Sequence, residues 1–522
     1  MSTKSASVPP EDAQPISLSA ASVAHGGSSQ KGPNGRVDIR FPTYGRSLLK
    51  PVESGGITHL GIGAFHRAHL AVYLDDLLEH GNGSWSVTGS GVMPHDDRVG
   101  QLLGGQDGFY VVAEKEDDMA TGRVIGSITN FVNGADDPGA LLQNLSDPAT
   151  KIVSITITEG GYPVEHGCFV ESPELASDMR ADVPRSTFGL LAAALDHRRK
   201  AGSAPFTVMS CDNLPGNGDV AKLAVVGAAS LRSPELSAWI ERNGAFPNAM
   251  VDRITPATTD ADRQWVTHRF GIRDAWPIIC EPFRQWALQD TFVDGRPAFE
   301  EAGVLITGDV IPYEHMKLRL LNASHSALAY HAALAGYTYV HEAMNDSRIR
   351  DFIRTLMKDE AAPNLVSPGG IDLAEYQESL IHRFSNSAIA DTISRLCLDG
   401  TAKFPTFLVP TAEAQISRGG PLSMVALTLA GWCRYLRGVA DNNTQITHSH
   451  DPFLGEAIAV ANASIADPRV FLAYERALGP RLAKSERLVR EFTRALDSLD
   501  HLGSLATLDT WVTSAHASPV TG

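Results

Sequence analysis

Three polar side chains interrupt an apolar helical pattern in the segment KLRLLNASHSALAY, namely Lys317, Asn322 and His325. At about 100° per residue, an α-helix would place His325 about 80° and Asn322 about 140° around its axis from Lys317. All three side chains could then point into one cleft. A lysine on an apolar face without a nearby acid is costly to bury in its charged form, so its pKa should fall toward neutrality. Lys317 is therefore a candidate proton acceptor. A lysine that only reaches out to water, beside two hydrogen-bonded core residues, fits this segment equally well.

A glycine turn precedes a helix in the segment ITHLGIGAFHRAHLAVYLDDLLEHG. Gly61 and Gly63 occupy the first two positions of the dinucleotide-binding fingerprint, and His66 stands where the third glycine would be. The first glycine permits the tight turn, and the second lets the backbone approach a pyrophosphate that the helix N-terminus attracts. The next strand-like run, SWSVTGSGV, is followed by Asp96, with Asp97 as the alternative, where an acid could hold a ribose hydroxyl. The order strand, glycine turn, helix, strand and acid predicts a dinucleotide site.

Two kinds of pattern divide the chain. From Ile57 to about Gln285, strand-like runs alternate with helical stretches, which predicts a mainly parallel sheet with helices on both faces. Beyond about Pro312 one amphipathic helical segment follows another. We therefore expect an α/β protein with a Rossmann-type dinucleotide-binding domain at residues 46–290 and a mainly α-helical substrate domain at residues 291–515. Residues 1–45 are rich in Ser, Ala, Gly and Pro, and we expect a disordered extension there.

Composition limits the possible partners. A net charge of −16 argues against nucleic acids and anionic membranes, and no apolar run approaches the length of a membrane span. The five cysteines are scattered and form no Cys-x-x-Cys pair, which predicts a cytoplasmic protein without disulfides or a structural zinc site. His66 and His69 could ligate a metal, but without a third ligand block we favour packing at the helix start. We expect no metal site.

Several blocks in one order carry a resemblance. They are GIGAFHRAH, TITEGGY, TVMSCDNLPGNG, FPNAMVDRITP, CEPFRQW and the segment with Lys317. In these blocks the chain resembles the polyol-specific long-chain dehydrogenases from about Ile57 to the last helices. Members of that family oxidise a secondary alcohol of an open-chain polyol with NAD or NADP and need no metal. The resemblance implies a monomer that converts D-mannitol to D-fructose, and the reverse, with NAD.

The resemblance also implies roles for four residues that act as a cluster in the family. Oxidation of an alcohol removes a proton from oxygen and a hydride from carbon, and the nicotinamide takes the hydride. Lys317 would then be the general base. Asn213 and Asn322 would donate amide N–H groups to the substrate oxygen, and His325 would hold that oxygen or an adjacent hydroxyl.

Further positions match the family's substrate and cofactor sites. The substrate-binding positions of the family are matched by Asp252, Arg395 and Lys403. The alternatives are that Asp252 only caps a loop and that Arg395 and Lys403 are solvated surface residues. Glu159 could relay a proton from Lys317 to water, and a salt bridge is nearly as good an interpretation. The expected cofactor-binding residues are those of the glycine turn and the acid after the second strand: Gly61, Gly63, Ala64, Phe65, Arg67 and Asp96.

One departure from the family bears on the cofactor. NAD-specific relatives carry an acidic pair after the second strand, whereas this chain has His95 and Asp96, so exclusion of NADP should be weaker, although we still expect NAD. Three alternatives stay open: a D-arabinitol 4-dehydrogenase, a fructuronate or tagaturonate reductase, and a sensor that binds NAD without turnover. Uronate reductases tend to carry a lysine where Gly160 follows Glu159, which favours a neutral polyol. A sensor would need neither the base nor the amide donors.

Overall fold

The computed structural model describes residues 15–25, 39–45, 56–81, 85–91, 97–165 and 167–517. The chain divides into two compact units, Met1–Val310 and Ile311–Gly522. The described strands all lie in the first unit and are numbered β1 to β16 in chain order: Ile16–Ser17, Ile39–Arg40, Gly56–Leu60, Ser86–Gly91, Tyr110–Glu116, Met119–Ile125, Ile128–Asn133, Thr150–Ile155, Val164–Glu165, Cys168–Phe169, Thr207–Ser210, Ala249–Asp252, Ile272–Arg273, Ile278–Cys280, Gln285–Gln289 and Leu305–Thr307.

A parallel five-stranded sheet forms the centre of the first unit. Its strand order is β11-β8-β3-β4-β7, and every neighbouring pair is parallel. Numbered by their order in the chain, these five strands run 5-4-1-2-3, which is the order of the first five strands of a Rossmann fold. The order reverses between β3 and β8, where such sheets open a crevice at the carboxyl ends of the strands. The Rossmann-type parallel sheet expected from the sequence is confirmed.

Two apolar cores cover the two faces of this sheet. Ile57 and Ile152 pack in one core with the helix Leu70–Glu79, and Val153 packs in the other with the helix Thr187–Lys200. Successive residues of a strand point to opposite faces, so strands buried on both sides read as continuous apolar runs. Ile152, Val153, Ser154 and Ile155 of β8 are accordingly all buried.

The described helices of the first unit cover the sheets. They are Ala20–His25, Ala64–Ala68, Leu70–Glu79, Asp97–Gly104, Pro138–Ser146, Pro173–Asp178, Thr187–Lys200, Asn217–Arg232, Pro234–Asn243 and Asp260–Phe270. The sequence pattern predicted one helix after the glycine turn, but the structure has two. His69 adopts φ −120° and ψ −92° between them, which interrupts the helical hydrogen bonds.

Smaller sheets extend the first unit past residue 290, where we expected the Rossmann-type domain to end. β15 pairs with β12 on one side and with β16 on the other. Because β16 is Leu305–Thr307, this pairing ties residues up to 307 to the first unit, which ends at Val310.

Parts of the expected disordered extension are ordered in the structure. β1 pairs with β13, and β2 pairs with β6, in each case as parallel strands. Leu18, Val23 and Ile39 are buried in one apolar cluster with residues of these strands. The polar composition of residues 1–45 conceals these few apolar residues, whose burial holds two short stretches, 15–25 and 39–45, against the unit.

The described regular elements of the second unit are helices, joined by loops that include the isolated antiparallel bridges Tyr339–Thr392 and Val439–Gln445. Its helices are Ile311–Met316, Ala323–Ala335, Val340–Asn345, Ser347–Thr355, Leu373–Ser385, Ile393–Leu396, Gly400–Phe407, Val409–Arg418, Ser423–Leu436, Leu454–Ala463, Arg469–Leu472, Glu475–Leu478, Glu486–Leu502 and Ser504–Ala517, with π-helical segments at Lys317–Asn322 and Leu356–Ala361. The nearly fully buried helix Ser423–Leu436 packs against Ala323–Ala335 and Glu486–Leu502. Across the described part of the chain, no helix combines the length and apolar character needed to span a bilayer.

Candidate active site

The glycine turn lies at the end of β3, beside the end of β8. Gly61 has φ +87°, and a β-carbon there would stand 2.1 Å from the carbonyl oxygen of Thr156. The Thr156 hydroxyl donates a hydrogen bond to the Gly61 carbonyl at 2.7 Å. Both the backbone angle and the contact exclude any side chain at residue 61. This turn therefore forms at the point where the strand order reverses.

The residues after the turn start a helix that can present backbone N–H groups. Gly63 caps the helix Ala64–Ala68 with φ −83°, and a β-carbon at residue 63 would have only the Gly61 carbonyl oxygen near it, at 3.9 Å. Gly63 is exposed, whereas Ala64 and Phe65 are half-buried. The first N–H groups of a helix have no partner within it, and they attract anions such as a pyrophosphate. The turn and these first residues fit a dinucleotide phosphate.

Arg67 differs from the expectation of a cofactor contact. Its side chain is fully buried, and its guanidinium donates to the Trp276 carbonyl oxygen at 2.5 Å and lies 5.4 Å from the Tyr110 ring centroid. Burial lowers the pKa of Arg67 to about 10. The guanidinium is held inside the first unit, and its Nη2 has no hydrogen-bond partner among the described residues. No local sequence pattern indicates this burial, because Trp276 lies far along the chain.

His66, at the third fingerprint position, packs against another histidine. Its ring stacks on that of His59 with the centroids 3.5 Å apart. Burial lowers the pKa of His66 well below 6.5, and its electrostatic interactions with His59, Arg67 and His69 lower it further. His59 holds the turn by contacts of its Nε2 with the Gly61 carbonyl at 3.1 Å and the Thr156 hydroxyl at 3.0 Å. His66 and His69 are both buried, in agreement with packing at the helix start.

A cavity of about 1050 Å³ opens beside the glycine turn. Gly61, Gly63 and Thr156 line one side, and the loop after β8, from Ile157 to Tyr162, lines another. Its position at the reversal of strand order is where Rossmann-type folds bind their ligands. Asp96, the predicted ribose partner, lies outside the described residues. Asp97 begins the helix Asp97–Gly104 that follows.

Two loops at the carboxyl ends of β8 and β11 carry Glu159 and Asn213. Glu159 begins a 3₁₀ turn, Glu159–Gly161. Asn213 is half-buried in the loop after β11, directly after Asp212. Asp212 is buried, and its carboxylate accepts hydrogen bonds from the N–H groups of Ile157 and Thr158 at 3.1 and 2.9 Å. The two loops are therefore tied together.

Asp252 is the last residue of β12 and is buried. It lies at the end of a strand rather than at the start of a loop-capping turn. Arg253, the next residue, donates to the Ala68 carbonyl at 2.6 Å and the Glu281 carbonyl at 3.0 Å. These buried bonds fix the backbone beside Asp252, and His69 lies within electrostatic range of its carboxylate.

Lys317 and Asn322 lie at the two ends of a π-helical segment. In a π-helix the hydrogen bonds run from residue i to residue i+5. Residues five apart therefore lie close to one another on the same side, unlike the separation of about 140° expected for an α-helix. Lys317 is buried and Asn322 is half-buried. Single π turns inside α-helices are frequent at functional sites.

Glu314 is a buried acid that the sequence interpretation overlooked. It lies three residues before Lys317, in the helix Ile311–Met316, and both side chains are buried. Residues three apart are neighbours on a helix, and a carboxylate near a lysine favours the charged amine. The premise of a lysine face without an acid is therefore wrong. The i, i+3 spacing in YEHMK was the available signal.

His325 lies among the cations of the second unit. Its pKa is well below 6.5 because of burial, followed by the charges of Arg395, Arg383, Lys403 and Lys317. His325 is therefore uncharged at neutral pH, with one ring nitrogen as donor and the other as acceptor. Its ring packs on Phe384, with centroids 4.3 Å apart. The structure thus gathers Lys317, Arg395 and Lys403 around His325 and adds Arg383.

Two polar atoms of this group have no protein partner among the described residues. They are Asn322 Oδ1 and His325 Nε2, both of which are buried. A buried polar atom without a hydrogen bond costs about 1–3 kcal/mol, which a bound hydroxyl group can recover. These two atoms are available to a polar ligand.

Arg395 and Lys403 have different surroundings. Arg395 is 47% exposed and pairs through Nε with the Asp391 carboxylate at 2.5 Å. This ion pair raises the pKa of Arg395 against the opposing effect of burial. Lys403 is half-buried, and its amine donates to the Leu396 carbonyl at 3.2 Å. Arg395 is thus an exposed arginine held by an ion pair, and Lys403 is a half-buried lysine held by one hydrogen bond.

The first unit has a Rossmann-type sheet with a glycine turn, and the second is a helical unit with a buried lysine. These features are typical of nicotinamide-dependent dehydrogenases. Residues 55–301 match the sequence model described as the mannitol dehydrogenase Rossmann domain. Residues 309–500 match that described as the mannitol dehydrogenase C-terminal domain. The chain belongs to the mannitol dehydrogenase family and is a polyol dehydrogenase, an oxidoreductase.

Named mannitol dehydrogenases are similar to this protein over most of its length. A mannitol 2-dehydrogenase of Phaeosphaeria nodorum is 41% identical over 479 residues, covering 90% of this chain and 83% of the relative. A mannitol dehydrogenase of Saccharomyces cerevisiae is 40% identical over 477 residues, covering 90% and 94%.

Two solved structures are similar to most of the chain. The Pseudomonas fluorescens mannitol 2-dehydrogenase, in a ternary complex with NAD and D-mannitol, matches with a TM-score of 0.85 and 40% identity, covering 95% of this chain and 100% of that chain. A substrate-free D-sorbitol dehydrogenase matches with a TM-score of 0.82 and 35% identity, covering 91% and 98%.

Proposed function

We propose that the protein oxidises D-mannitol to D-fructose with NAD and catalyses the reverse reduction. The observation that carries this proposal is the 40% identity, over 95% of the chain, to a mannitol 2-dehydrogenase solved with NAD and D-mannitol. The proposal includes a monomeric, cytoplasmic enzyme that needs no metal.

The glycine turn supports a dinucleotide cofactor. A turn that admits no β-carbon at Gly61, followed by the exposed backbone of Gly63, fits the close approach of a pyrophosphate. Gly61, Gly63, Ala64 and Phe65 would hold the phosphates through their backbone, and Asp96 would hold the adenosine ribose. When bound, the nicotinamide accepts the hydride from the alcohol carbon.

Lys317 removes the hydroxyl proton in this proposal. Its Nζ must be uncharged to accept a proton, so its pKa has to lie well below the usual value of about 10.4. Burial of Lys317 favours the uncharged amine, and the buried acid Glu314 three residues earlier has the opposite effect. Glu159 would return the proton to water.

Asn213, Asn322 and His325 stabilise the oxygen that loses its proton. Amide and imidazole N–H donors lower the free energy of an oxygen on which negative charge develops. The low pKa of His325 supports this role, because a weakly basic imidazole does not compete with Lys317 for the proton. Asp252, Arg395 and Lys403 would bind the remaining hydroxyl groups of the polyol.

A second candidate substrate comes from the D-sorbitol dehydrogenase at 35% identity. D-Sorbitol and D-mannitol differ in the configuration of one carbon, so the same donors could serve either. D-Arabinitol is a third open-chain polyol of this type. The absence of a lysine after Glu159, where Gly160 stands, favours a neutral polyol over a uronate.

A cofactor-reduction assay tests the proposal. The purified protein is expected to reduce NAD with D-mannitol faster than with D-sorbitol or D-arabinitol, and to oxidise NADH with D-fructose. The same assay with NADP and with fructuronate supplies the comparison. Clear turnover of fructuronate, with no turnover of any hexitol or pentitol, would contradict the proposal.

A further inference from the structure

Thr158 has an unusual backbone conformation at the exit of β8. Its φ is +65° and its ψ is 164°. This region is populated almost only by glycine, and a non-glycine residue in it costs about 1–3 kcal/mol. A β-branched threonine is especially unsuited to it. The surrounding contacts must therefore hold Thr158 in place.

One carboxylate supplies those contacts. The Asp212 side chain accepts from the Ile157 N–H at 3.1 Å, the Thr158 N–H at 2.9 Å and the Tyr162 hydroxyl at 2.6 Å. Burial, followed by the Asp212 charge, raises the pKa of Tyr162 well above its ordinary value, so the hydroxyl stays protonated and donates. Hydrogen bonds to a charged acceptor are roughly twice as strong as those between neutral groups.

The two loops that Asp212 joins carry two proposed site residues. Thr158 directly precedes Glu159, and Asp212 itself directly precedes Asn213. The same strained loop lines the cavity of about 1050 Å³ beside the glycine turn. Cys211 N–H also donates to the Ile155 carbonyl at 2.9 Å, which keeps the ends of the two strands in register.

We infer that Asp212 is a positioning residue: its carboxylate holds Thr158 in the strained conformation and thereby sets the backbone that presents Glu159 and Asn213. This inference rests on the proposed function of those two residues. Asp212 touches neither substrate nor cofactor in this account. It acts through the two loops, because a displacement of about 1 Å in a catalytic group can cost about a hundredfold in rate.

The test is Asp212→Asn. Oδ2 accepts from Ile157 and Tyr162 and Oδ1 accepts from Thr158, so an asparagine, which replaces one of these oxygens by an NH₂ group, loses at least one of the three bonds. We expect kcat for D-mannitol oxidation to fall by about tenfold to a hundredfold. The dissociation constant for NAD, measured by fluorescence, should change by less than about threefold, because the glycine turn is untouched.

Asp274→Asn is the matched control. Asp274 is also buried in the first unit and also accepts from two backbone N–H groups, those of Val111 at 2.5 Å and Trp276 at 2.8 Å, and from Gln106 Nε2. It has no part in the proposed site. This variant should lower the melting temperature and leave kcat near that of the wild type. If both variants lose kcat in proportion to their loss of stability, Asp212 is only structural and the inference fails.

A double variant separates positioning from packing. In Asp212→Asn/Thr158→Gly, glycine adopts the positive φ without strain, so part of the lost kcat should return. No recovery in the double variant overturns the inference. Should Asp212→Asn fail to fold, hydrogen exchange in the wild type decides, because strong protection of the Ile157 and Thr158 amides is expected and rapid exchange overturns the inference.

Asn213→Ala distinguishes this inference from the proposed function. A large loss of kcat in Asn213→Ala, beside an unchanged kcat in Asp212→Asn, means that Asn213 acts as proposed without help from Asp212. An unchanged kcat in Asn213→Ala means instead that the proposed role of Asn213 is wrong.

Discussion

Gly61 and Thr156 approach so closely that a β-carbon at residue 61 would stand 2.1 Å from the Thr156 carbonyl oxygen. The Thr156 hydroxyl also donates to the Gly61 carbonyl, so the two strand ends are joined from both sides. These strands are β3 and β8, between which the strand order reverses. Gly61 therefore supports the fold itself, whereas Gly63 has room for a side chain.

This difference between the two glycines predicts different effects of alanine. Gly61→Ala forces a contact with backbone that cannot move aside, at a φ of +87° that alanine rarely adopts. We expect a melting temperature lowered by several degrees and little NAD binding. Differential scanning fluorimetry and NAD titration measure both.

Gly63→Ala is the control for that variant. Its β-carbon meets only one atom within 4 Å, and its φ is already negative. The melting temperature should stay near that of the wild type, while NAD binding weakens because the new methyl group keeps a pyrophosphate from the backbone. Equal melting temperatures for the two variants would show that the Gly61–Thr156 contact does not stabilise the fold.

The cofactor preference is predicted to depend on Asp96. A carboxylate binds the ribose hydroxyls of NAD and repels the 2′-phosphate of NADP. Asp96→Ala should therefore raise KM for NAD and increase the relative use of NADP. Initial rates with both cofactors at fixed D-mannitol measure the ratio. An unchanged ratio of NAD to NADP activity would show that Asp96 does not determine the preference. Asp97 would then be the candidate, which Asp97→Ala tests.

Buried histidines predict that stability falls in acid. Burial lowers the pKa of His59 and His69 to about 3 and that of His331 to about 4, and those of His66 and His325 lie well below 6.5. The unfolded chain binds protons at about pH 6.5, which the folded chain does not bind, so stability is lost as pH falls below 6.5. Each histidine contributes up to about 1.4 kcal/mol per pH unit.

Denaturant unfolding between pH 7.5 and 4.5 measures this slope. Glu360 opposes it, since burial raises the pKa of its carboxyl to about 7 and the unfolded chain releases that proton. Burial also raises the pKa of Asp75, Asp274 and Asp441, which act in the same direction. The expected net result is a midpoint that decreases steadily from pH 6.5 downward. A midpoint independent of pH over this range would rule out the buried, uncharged histidines.

The sequence predicted features that local residues determine. The glycine turn and the alternation of strands and helices follow from neighbouring residues, and both are present. The burial of Arg67 depends on a carbonyl group 209 residues away, which no local pattern contains. The π-helical segment at Lys317 likewise has no local signature. The angle of about 140° between Lys317 and Asn322, predicted for an α-helix, was therefore wrong. The ties between Asp212 and the loop after β8 arise only when two separate strands become neighbours.

Lys317 is the residue on which the proposed chemistry depends. Lys317→Ala should lower kcat for D-mannitol oxidation by several orders of magnitude, because Lys317 is the residue proposed to accept the proton of the alcohol. NAD binding should stay near that of the wild type, since the cofactor-binding residues lie in the first unit. A small primary amine added to the variant should restore part of the rate by replacing the missing base.

The most direct test is the pH dependence of kcat for D-mannitol oxidation in the wild type and in Lys317→Ala. For the wild type we expect a rise with pH to a plateau, which reports a lysine pKa well below about 10.4. For the variant we expect a rate lower by several orders of magnitude that no longer follows this profile. If Lys317→Ala keeps most of the activity and the same profile, the lysine is structural and the proton passes to His325 or Glu159.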